Sequence, residues 1–176
     1  MKAQTSPSLL ENLVQPIGGL ISSVMQIPAQ PGEPNFPIYG ASLGDVNHVL
    51  KPYSRMGELD NGALNGAGGA LDPDQGRLKA IAEGLERYSS CVFDERQFIW
   101  ATAEELGDEA LDLDTVPRCS ETELAHPRCI ATAPNKKAPI RWVRGVSLFD
   151  GRAVWVPAIM VYLKLAPQSQ GERFNL

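Results

Sequence analysis

The amino-acid sequence predicts an α+β fold, with a mixed or antiparallel sheet packed against one long amphipathic helix. Apolar residues recur at helical spacing over residues 78–92, and shorter stretches of alternating apolar and polar residues indicate strands. The Asp150-Gly151 pair between the last two of these stretches is typical of a β-hairpin turn. A chain of 176 residues is long enough to bury the core of an ordinary domain.

The N-terminal part is expected to contain a short helix and a strand. Ser8 and Glu11 have the spacing of a capping box, which marks the start of a helix. Residues 20–27 alternate well enough for a strand. The residues expected on one face of that strand are Ile21, Met25 and Ile27.

A second strand is predicted over residues 36–43, and a long loop follows over residues 44–69. Pro37 and Gly40 interrupt the strand. Proline lacks an N–H group and is confined to the edges of sheets, so we expect an edge position. A loop of this length inside a domain is usually functional or mobile.

The long helix is expected to begin at Asp72 or Pro73 and to run to about Phe93. Asp72 is a good N-cap, and proline suits the first helical position. An apolar stripe, which we expect to face the sheet, consists of Leu78, Ile81, Ala82, Leu85, Tyr88 and Val92. Beside it lie small residues that would let another backbone come close, namely Ala80, Gly84 and Cys91.

The C-terminal part is expected to begin with a short helix and to end with the hairpin. Residues 102–105 form a capping box, whereas residues 108–134 are polar and predict an excursion over the surface. Residues 140–148 alternate as a strand. Residues 152–163 form a nearly continuous apolar stretch, which is typical of a strand buried on both faces.

Composition excludes several classes of function. The net charge of −5 argues against a nucleic-acid-binding protein, which needs a basic surface. No apolar run approaches the roughly 20 residues that cross a bilayer, so no membrane span is expected. Three cysteines predict no disulfide framework and favour the cytoplasm. Cys119, His126 and Cys129 have neither the spacing nor the number of ligands of a standard zinc site.

The polar side of the long helix carries the candidate site residues Lys79, Glu83, Glu86 and Arg87. The two glutamates are three residues apart, so their carboxylates point the same way and could hold Mg²⁺, while a neighbouring cation could contact phosphate. From spacing alone, a solvated surface with weak ion pairs is the simpler interpretation. The glycines Gly62, Gly66, Gly68 and Gly69 are interpreted as a flexible loop, since no Gly-Lys-Ser/Thr sequence follows them as in a Walker loop.

Residues 72–89 resemble the signature of the YcaO family, in which a glycine-rich loop leads into a helix with the pattern Ser-x-x-x-Glu-x-x-Glu-Arg. Three residues match that pattern: Glu83, Glu86 and Arg87. Residues 9–24 also resemble the start of YcaO proteins from thiazole/oxazole-modified microcin (TOMM) pathways, and residues 154–158 resemble a later strand of the family. The resemblance thus spans residues 8–163.

The resemblance implies part of an ATP- and Mg²⁺-dependent cyclodehydratase of bacteriocin biosynthesis. Such enzymes phosphorylate a backbone amide oxygen of a ribosomally made peptide after attack by a neighbouring Cys, Ser or Thr side chain, and loss of phosphate leaves a thiazoline or oxazoline ring. The implied roles are Mg²⁺–ATP binding for Glu83 and Glu86, and phosphate contact or support of the carboxylates for Arg87. The implied partners are the precursor peptide and a leader-binding or ubiquitin-activating-enzyme-like protein, and a homodimer is compatible with the family.

Several departures from the family pattern bear on activity. Lys79 stands where the family has serine, and the family's loop lysine falls at about Gly69 or Ala70, so that cation is absent. The later family motifs have no counterpart, which predicts an incomplete YcaO-like domain without catalytic residues of its own and inactive by itself. We expect residues 1–34 to form a lead segment and residues 35–176 to form the N-terminal part of the ATP-binding domain.

Two other functions remain open at this point. The first is a non-catalytic YcaO module that binds a partner protein or the precursor peptide, which Lys79 and the missing loop cation favour. The second is backbone thioamide formation, which related family members catalyse at the same ATP site.

Overall fold

The computed structural model describes residues 7–34, 36–43 and 64–174. The chain divides into two compact units, residues 1–92 and residues 93–176. Within the described ranges, each unit contains a three-stranded antiparallel sheet and its own apolar core. The α+β class with antiparallel pairing is therefore confirmed, although two small sheets replace the single sheet expected.

The first unit is built from α1 (Pro7–Glu11), β1 (Ser23–Ile27), β2 (Ile38–Ser42), β3 (Gly66–Gly69) and α2 (Pro73–Ser89). The sheet order is β1-β2-β3, so the predicted edge position of β2 is wrong. Pro37 lies just before the strand, where its missing N–H group interrupts no ladder, and Gly40 pairs with Met25 on one side and Ala67 on the other. The helix α1 begins at Pro7, so Ser8 lies inside it rather than at its cap.

The expected common face of Ile21, Met25 and Ile27 is also wrong. Ile21 is fully buried, whereas the other two side chains are exposed. Ile21 precedes β1 and forms an isolated bridge with Val14, so the period-two alternation of the strand does not extend back to it. Within β1, Val24 is the residue that packs against the core.

The start of α2 is confirmed as predicted. Asp72 is the N-cap, and its side chain accepts a hydrogen bond from the N–H group of Asp74 at 3.0 Å. Pro73 occupies the first helical position. The helix ends at Ser89, earlier than the predicted Phe93.

Small residues, rather than the predicted large apolar stripe, form the closest contact between α2 and the sheet. The buried positions of α2 are Gly76, Ala80, Ile81 and Gly84, whereas Ala82 and Val92 of the predicted stripe are exposed. A Cβ atom added at Gly68 of β3 would collide with the backbone of Gly76 and Ala80. The prediction that small side chains admit another backbone is therefore confirmed, and that backbone is β3.

The glycines expected in a flexible loop form this strand. Gly66, Gly68 and Gly69 lie in β3, which pairs with β2 from Ile38 to Ala41. Gly62 and residues 44–63 of the predicted loop lie outside the described residues.

The second unit contains β4 (Ile99–Ala101), α3 (Ala103–Leu106), α4 (Glu121–Leu124), β5 (Ile140–Val146), β6 (Ala153–Pro157) and α5 (Ala158–Val161). The sheet order is β4-β5-β6. The capping box between Thr102 and Glu105 is confirmed at the start of α3.

The predicted hairpin is confirmed, with two corrections. The strands β5 and β6 pair antiparallel, but residues 147–152 connect them, which is longer than a two-residue turn. Gly151 supplies the positive φ of 73° that this connection requires. The strand predicted to continue to residue 163 ends at Pro157, because the chain turns into α5 and the Tyr162 N–H bonds to the Ala158 carbonyl.

The core of the second unit surrounds Trp142, which is fully buried and whose Nε1–H donates to the Ala101 carbonyl at 2.9 Å. Leu113 and Val116 are buried in the same core, so the segment 108–134 is not wholly a surface excursion. Beside this core, Arg141 Nε lies 2.7 Å from Glu172 Oε1, and both side chains are at most 2% exposed.

Among the helices of the described residues, none is long and apolar enough to cross a membrane. The boundary expected between residues 34 and 35 remains a prediction.

Candidate functional site

Glu83 ties the helix α2 to the glycine-rich strand β3. Its Oε2 accepts a hydrogen bond from the backbone N–H group of Ala67 at 2.7 Å. Its Oε1 accepts from Nε and Nη2 of Arg87 at 3.0 and 2.8 Å. One carboxylate therefore bridges a strand backbone and a guanidinium one helical turn further along.

These contacts keep Glu83 ionised. The hydrogen bond from the Ala67 N–H group, followed by those from the Arg87 guanidinium, lowers the pKa of the Glu83 carboxyl below its usual value. Partial burial acts in the opposite direction and is outweighed. A carboxylate that is both ionised and fixed in place is the kind of oxygen ligand that a hard cation prefers.

Lys79 contacts the C-terminal end of β3, two residues beyond the Ala67 that Glu83 contacts. Its Nζ donates to the Gly69 carbonyl oxygen at 3.2 Å, and its side chain is exposed. Ala67 and Gly69 are alternate residues, and the Ala70 N–H group bonds to the Pro37 carbonyl beside β2. The Ala67 and Gly69 backbone groups therefore point to the edge of β3 that faces away from β2.

Glu86 is in a different environment from Glu83. It is exposed, and its side chain takes part in no hydrogen bond or ion pair within the described parts of the chain. Its backbone carbonyl accepts from the Ser90 N–H group at 2.9 Å, which closes the C-terminal end of the helix.

The structure thus brings three of the four predicted site residues to the outer edge of β3. Lys79 and Glu83 contact the strand directly, and Arg87 reaches it through Glu83. Glu86 lies on the next turn, and its side chain forms no hydrogen bond or ion pair with the other three. Its predicted role as a joint ligand with Glu83 remains a prediction.

Sequence reasoning missed Ala67. Its contribution is a backbone N–H group, which side-chain patterns do not reveal. The signal that could have found it is the run Gly66-Ala67-Gly68-Gly69, since glycines at alternate positions indicate a strand that another backbone approaches closely.

Within residues 7–34, 36–43 and 64–174, no cluster of three or more His, Cys, Asp or Glu side chains could hold a metal ion. The candidate residues on α2 therefore offer at most two carboxylates, those of Glu83 and Glu86. Mg²⁺ is commonly held by one or two carboxylates, with phosphate oxygens and water completing its octahedron, so this donor set fits Mg²⁺ bound together with a nucleotide.

Residues 67–176 match the model of a family described as YcaO cyclodehydratase, ATP- and Mg²⁺-binding. The chain belongs to the YcaO family. The match begins at Ala67, in the strand that Glu83 contacts, and covers more than half of the chain. It includes all four predicted site residues.

One solved structure shares the fold, and a second resembles the chain only weakly. A heterocyclase in complex with substrate and cofactor matches with a TM-score of 0.65 and 20% identity, over 97% of this chain and 24% of that chain. YcaO from Methanopyrus kandleri bound with AMPPCP and Mg²⁺ matches with a TM-score of 0.43 and 19% identity, over 89% of this chain and 30% of that one. The chain spans about a quarter of the length of the heterocyclase. No curated protein matches the sequence.

Proposed function

We propose that this chain supplies nucleotide-binding elements of an ATP-dependent YcaO cyclodehydratase that forms azoline rings in a ribosomally made peptide. The observation that carries the proposal is the position of Glu83. It is an ionised glutamate of the family's matched region, fixed by Ala67 at the outer edge of β3. The family description as ATP- and Mg²⁺-binding supports the choice of ligand.

In this proposal Glu83 and Glu86 bind the Mg²⁺ that accompanies ATP. Glu83 keeps acceptor capacity beyond its bonds to Ala67 and Arg87, because two carboxylate oxygens offer about four lone-pair sites. Glu86 is exposed and brings a second carboxylate from the next turn of the same helix. Arg87 positions Glu83, and its guanidinium also suits a phosphate oxygen.

Lys79 is the second cation of the proposed site. It is exposed, and a bond of 3.2 Å to the Gly69 carbonyl holds its ammonium at the edge of β3. From there it contacts phosphate and supplies part of the charge that the missing loop lysine provides in the family. Bound nucleotide supplies the phosphoryl group that turns the amide oxygen into a good leaving group.

The remaining partners follow from the same proposal. The substrate is a precursor peptide of bacteriocin (TOMM) type carrying Cys, Ser or Thr, and a leader-binding or ubiquitin-activating-enzyme-like protein delivers it in the cytoplasm. Residues 1–34 act as a lead segment that braces α2. Two hydrogen bonds support that role, since the Arg77 guanidinium of α2 donates to the Glu11 carboxylate at 2.8 and 2.9 Å.

The test is ATP turnover by the complete protein with a Cys-containing precursor peptide. Glu83→Gln and Glu86→Gln are each expected to lower turnover about 10- to 100-fold, the usual cost of disturbing a metal site. With the unsubstituted protein, mass spectrometry of the peptide should show the loss of one water for each ring formed. Glu95→Gln, which changes an exposed acid of the second unit, is the matched control. Normal turnover in both Glu83→Gln and Glu86→Gln would remove the Mg²⁺ role.

A non-catalytic module is the second candidate function. Two hydrogen bonds favour it, because they engage groups that would otherwise contact a nucleotide: Lys79 donates to the Gly69 carbonyl, and Arg87 donates to the Glu83 carboxylate. Calorimetry with Mg²⁺–ATP distinguishes the two. A complete protein that binds its peptide but shows no heat with nucleotide would support the non-catalytic function.

A further inference from the structure

The β5–β6 hairpin of the second unit exposes apolar side chains beside a groove. Leu148 and Phe149, at the hairpin tip, are 98% and 104% exposed. They line a groove of about 880 Å³ whose other wall is the segment 103–113. Two adjacent, fully exposed large apolar side chains at the mouth of a groove are typical of an interaction site rather than of scattered surface residues.

The groove is apolar at its base and acidic at its rim. Ala110, Leu111 and Val156 are among its apolar lining residues. Segment 104–114, which borders one wall, contains six acidic residues and no basic one. This pattern of an apolar centre with a charged rim is that of a protein-binding surface.

The two basic residues of the lining are already paired with acids. Lys136 Nζ lies 2.8 Å from Asp112 Oδ1 and 2.6 Å from Asp114 Oδ2. Arg152 Nε lies 3.3 Å from Asp150 Oδ2. Glu104 Oε1 also lies 4.0 Å from Lys137 Nζ. The acids at and beside the groove still outnumber the basic residues, with Glu104, Asp108, Asp112, Asp114 and Asp150 against Lys136, Lys137 and Arg152, so the rim keeps an excess of negative charge.

We propose that this groove binds a cationic, apolar segment of a partner protein, with Leu148 and Phe149 as its apolar anchors. The charge argues against three other occupants of the same surface. Nucleic acid and anionic membrane would be repelled by the rim. A second copy would bring Asp150, next to the anchors, against the acidic wall of a chain whose net charge is −5.

The probes are three fluorescein-labelled synthetic peptides of equal length, one alternating Lys and Leu, one Glu and Leu, and one Lys and Ser. Fluorescence anisotropy with the 176-residue chain should give the Lys/Leu peptide at least a tenfold lower Kd than either other peptide. Replacing both anchors, Leu148→Ser with Phe149→Ser, should raise that Kd about tenfold or more, since a few buried apolar side chains dominate such interfaces. The rim variant Glu104→Gln with Asp108→Asn should raise it severalfold and weaken its dependence on salt.

The matched control is Ile130→Ser, which removes an exposed apolar side chain of the same unit outside the groove and should leave the Kd unchanged. Near-equal binding of the three peptides, or full binding by the anchor variant, would overturn the proposal. So would sedimentation showing a dimer of the chain that the anchor variant abolishes, since the occupant would then be a second copy. All variants change exposed residues, and unaltered tryptophan fluorescence should verify their folding.

Discussion

Glu83 has one structural contact and one proposed role in ligand binding, and both need its carboxylate to be ionised. Its carboxylate binds the backbone of β3 through Ala67, and it is the proposed Mg²⁺ ligand. Arg87 supports both functions, because it helps to keep the carboxylate charged. Such a residue couples the stability of the first unit to the chemistry proposed for it.

The link between the protonation of Glu83 and the stability of the fold gives a prediction for this residue. The pKa of Glu83 is lowered in the folded state, so its contribution to stability is present above the ordinary value of 4.5 and is lost as pH falls through the folded pKa. Glu83→Gln keeps an acceptor but loses the charge. The variant should be less stable than the parent chain at neutral pH, and should lose less stability on acidification.

Thermal unfolding followed by far-ultraviolet circular dichroism at neutral pH and below the ordinary pKa measures this difference. Circular dichroism is used because Trp100, Trp142 and Trp155 all belong to the second unit, whereas α2 belongs to the first. Glu95→Gln serves again as the control. Parallel pH profiles for the parent chain and Glu83→Gln would contradict the prediction.

At the scale of elements, the packing of β3 on α2 depends on the absence of side chains. Gly66 and Gly68 face the helix, and an added Cβ at either would meet helix backbone rather than a movable side chain. This close approach is what allows the Glu83 and Lys79 side chains to reach the strand. The candidate site is therefore a consequence of glycine packing as much as of charged residues.

Gly68→Ala is accordingly predicted to destabilise the first unit by about 1–3 kcal/mol, the usual cost of overpacking. Gly40→Ala in β2 is the matched control, because a Cβ there would lie 3.9 Å from Ile27 Cδ1, an ordinary contact. That control should be neutral or slightly stabilising, since alanine loses less backbone entropy than glycine. Urea unfolding followed by circular dichroism gives both values. Equal stability of the two variants would show that the helix can move away from β3.

Of the three helix starts predicted from local signals, those at Asp72 and Thr102 are present, whereas the start at Ser8 is not, because α1 begins at Pro7. The caps at Asp72 and Thr102 depend on contacts within three residues, and both are present as expected. The position of β2 could not be predicted, because it depends on β3, which is separated from it in sequence by residues 43–65. The length of β6 was overestimated because an apolar run does not distinguish a strand from the start of α5.

At the scale of the whole molecule, the second unit has its own core, sheet and buried ion pair. Trp142 takes its core contacts and its hydrogen bond to Ala101 from within residues 93–176. Arg141 and Glu172 also satisfy each other within that range, with Arg141 Nη2 donating to the Ala166 carbonyl. No buried side-chain nitrogen or oxygen atom in the described residues lacks a hydrogen-bond partner.

Residues 93–176 are therefore predicted to fold by themselves. In this fragment, Trp100→Phe with Trp155→Phe leaves Trp142 as the reporter. Its emission should be blue-shifted in buffer and should shift to the red in a cooperative urea transition. The same fragment in concentrated urea is the reference for the unfolded state. Emission that is already red-shifted in buffer would mean that this unit needs the rest of the chain.

The amino-acid sequence alone was enough to predict the α+β class, the caps at Asp72 and Thr102, the family resemblance and the candidate residues Lys79, Glu83, Glu86 and Arg87. These rest on short-range spacing and on residue chemistry. Three features became visible only in the folded chain: the glycines form a strand, Glu83 binds Ala67, and Leu148 and Phe149 lie beside a groove. The reason is that each of these depends on a partner distant in the chain, and periodicity carries no information about which distant backbone a side chain meets.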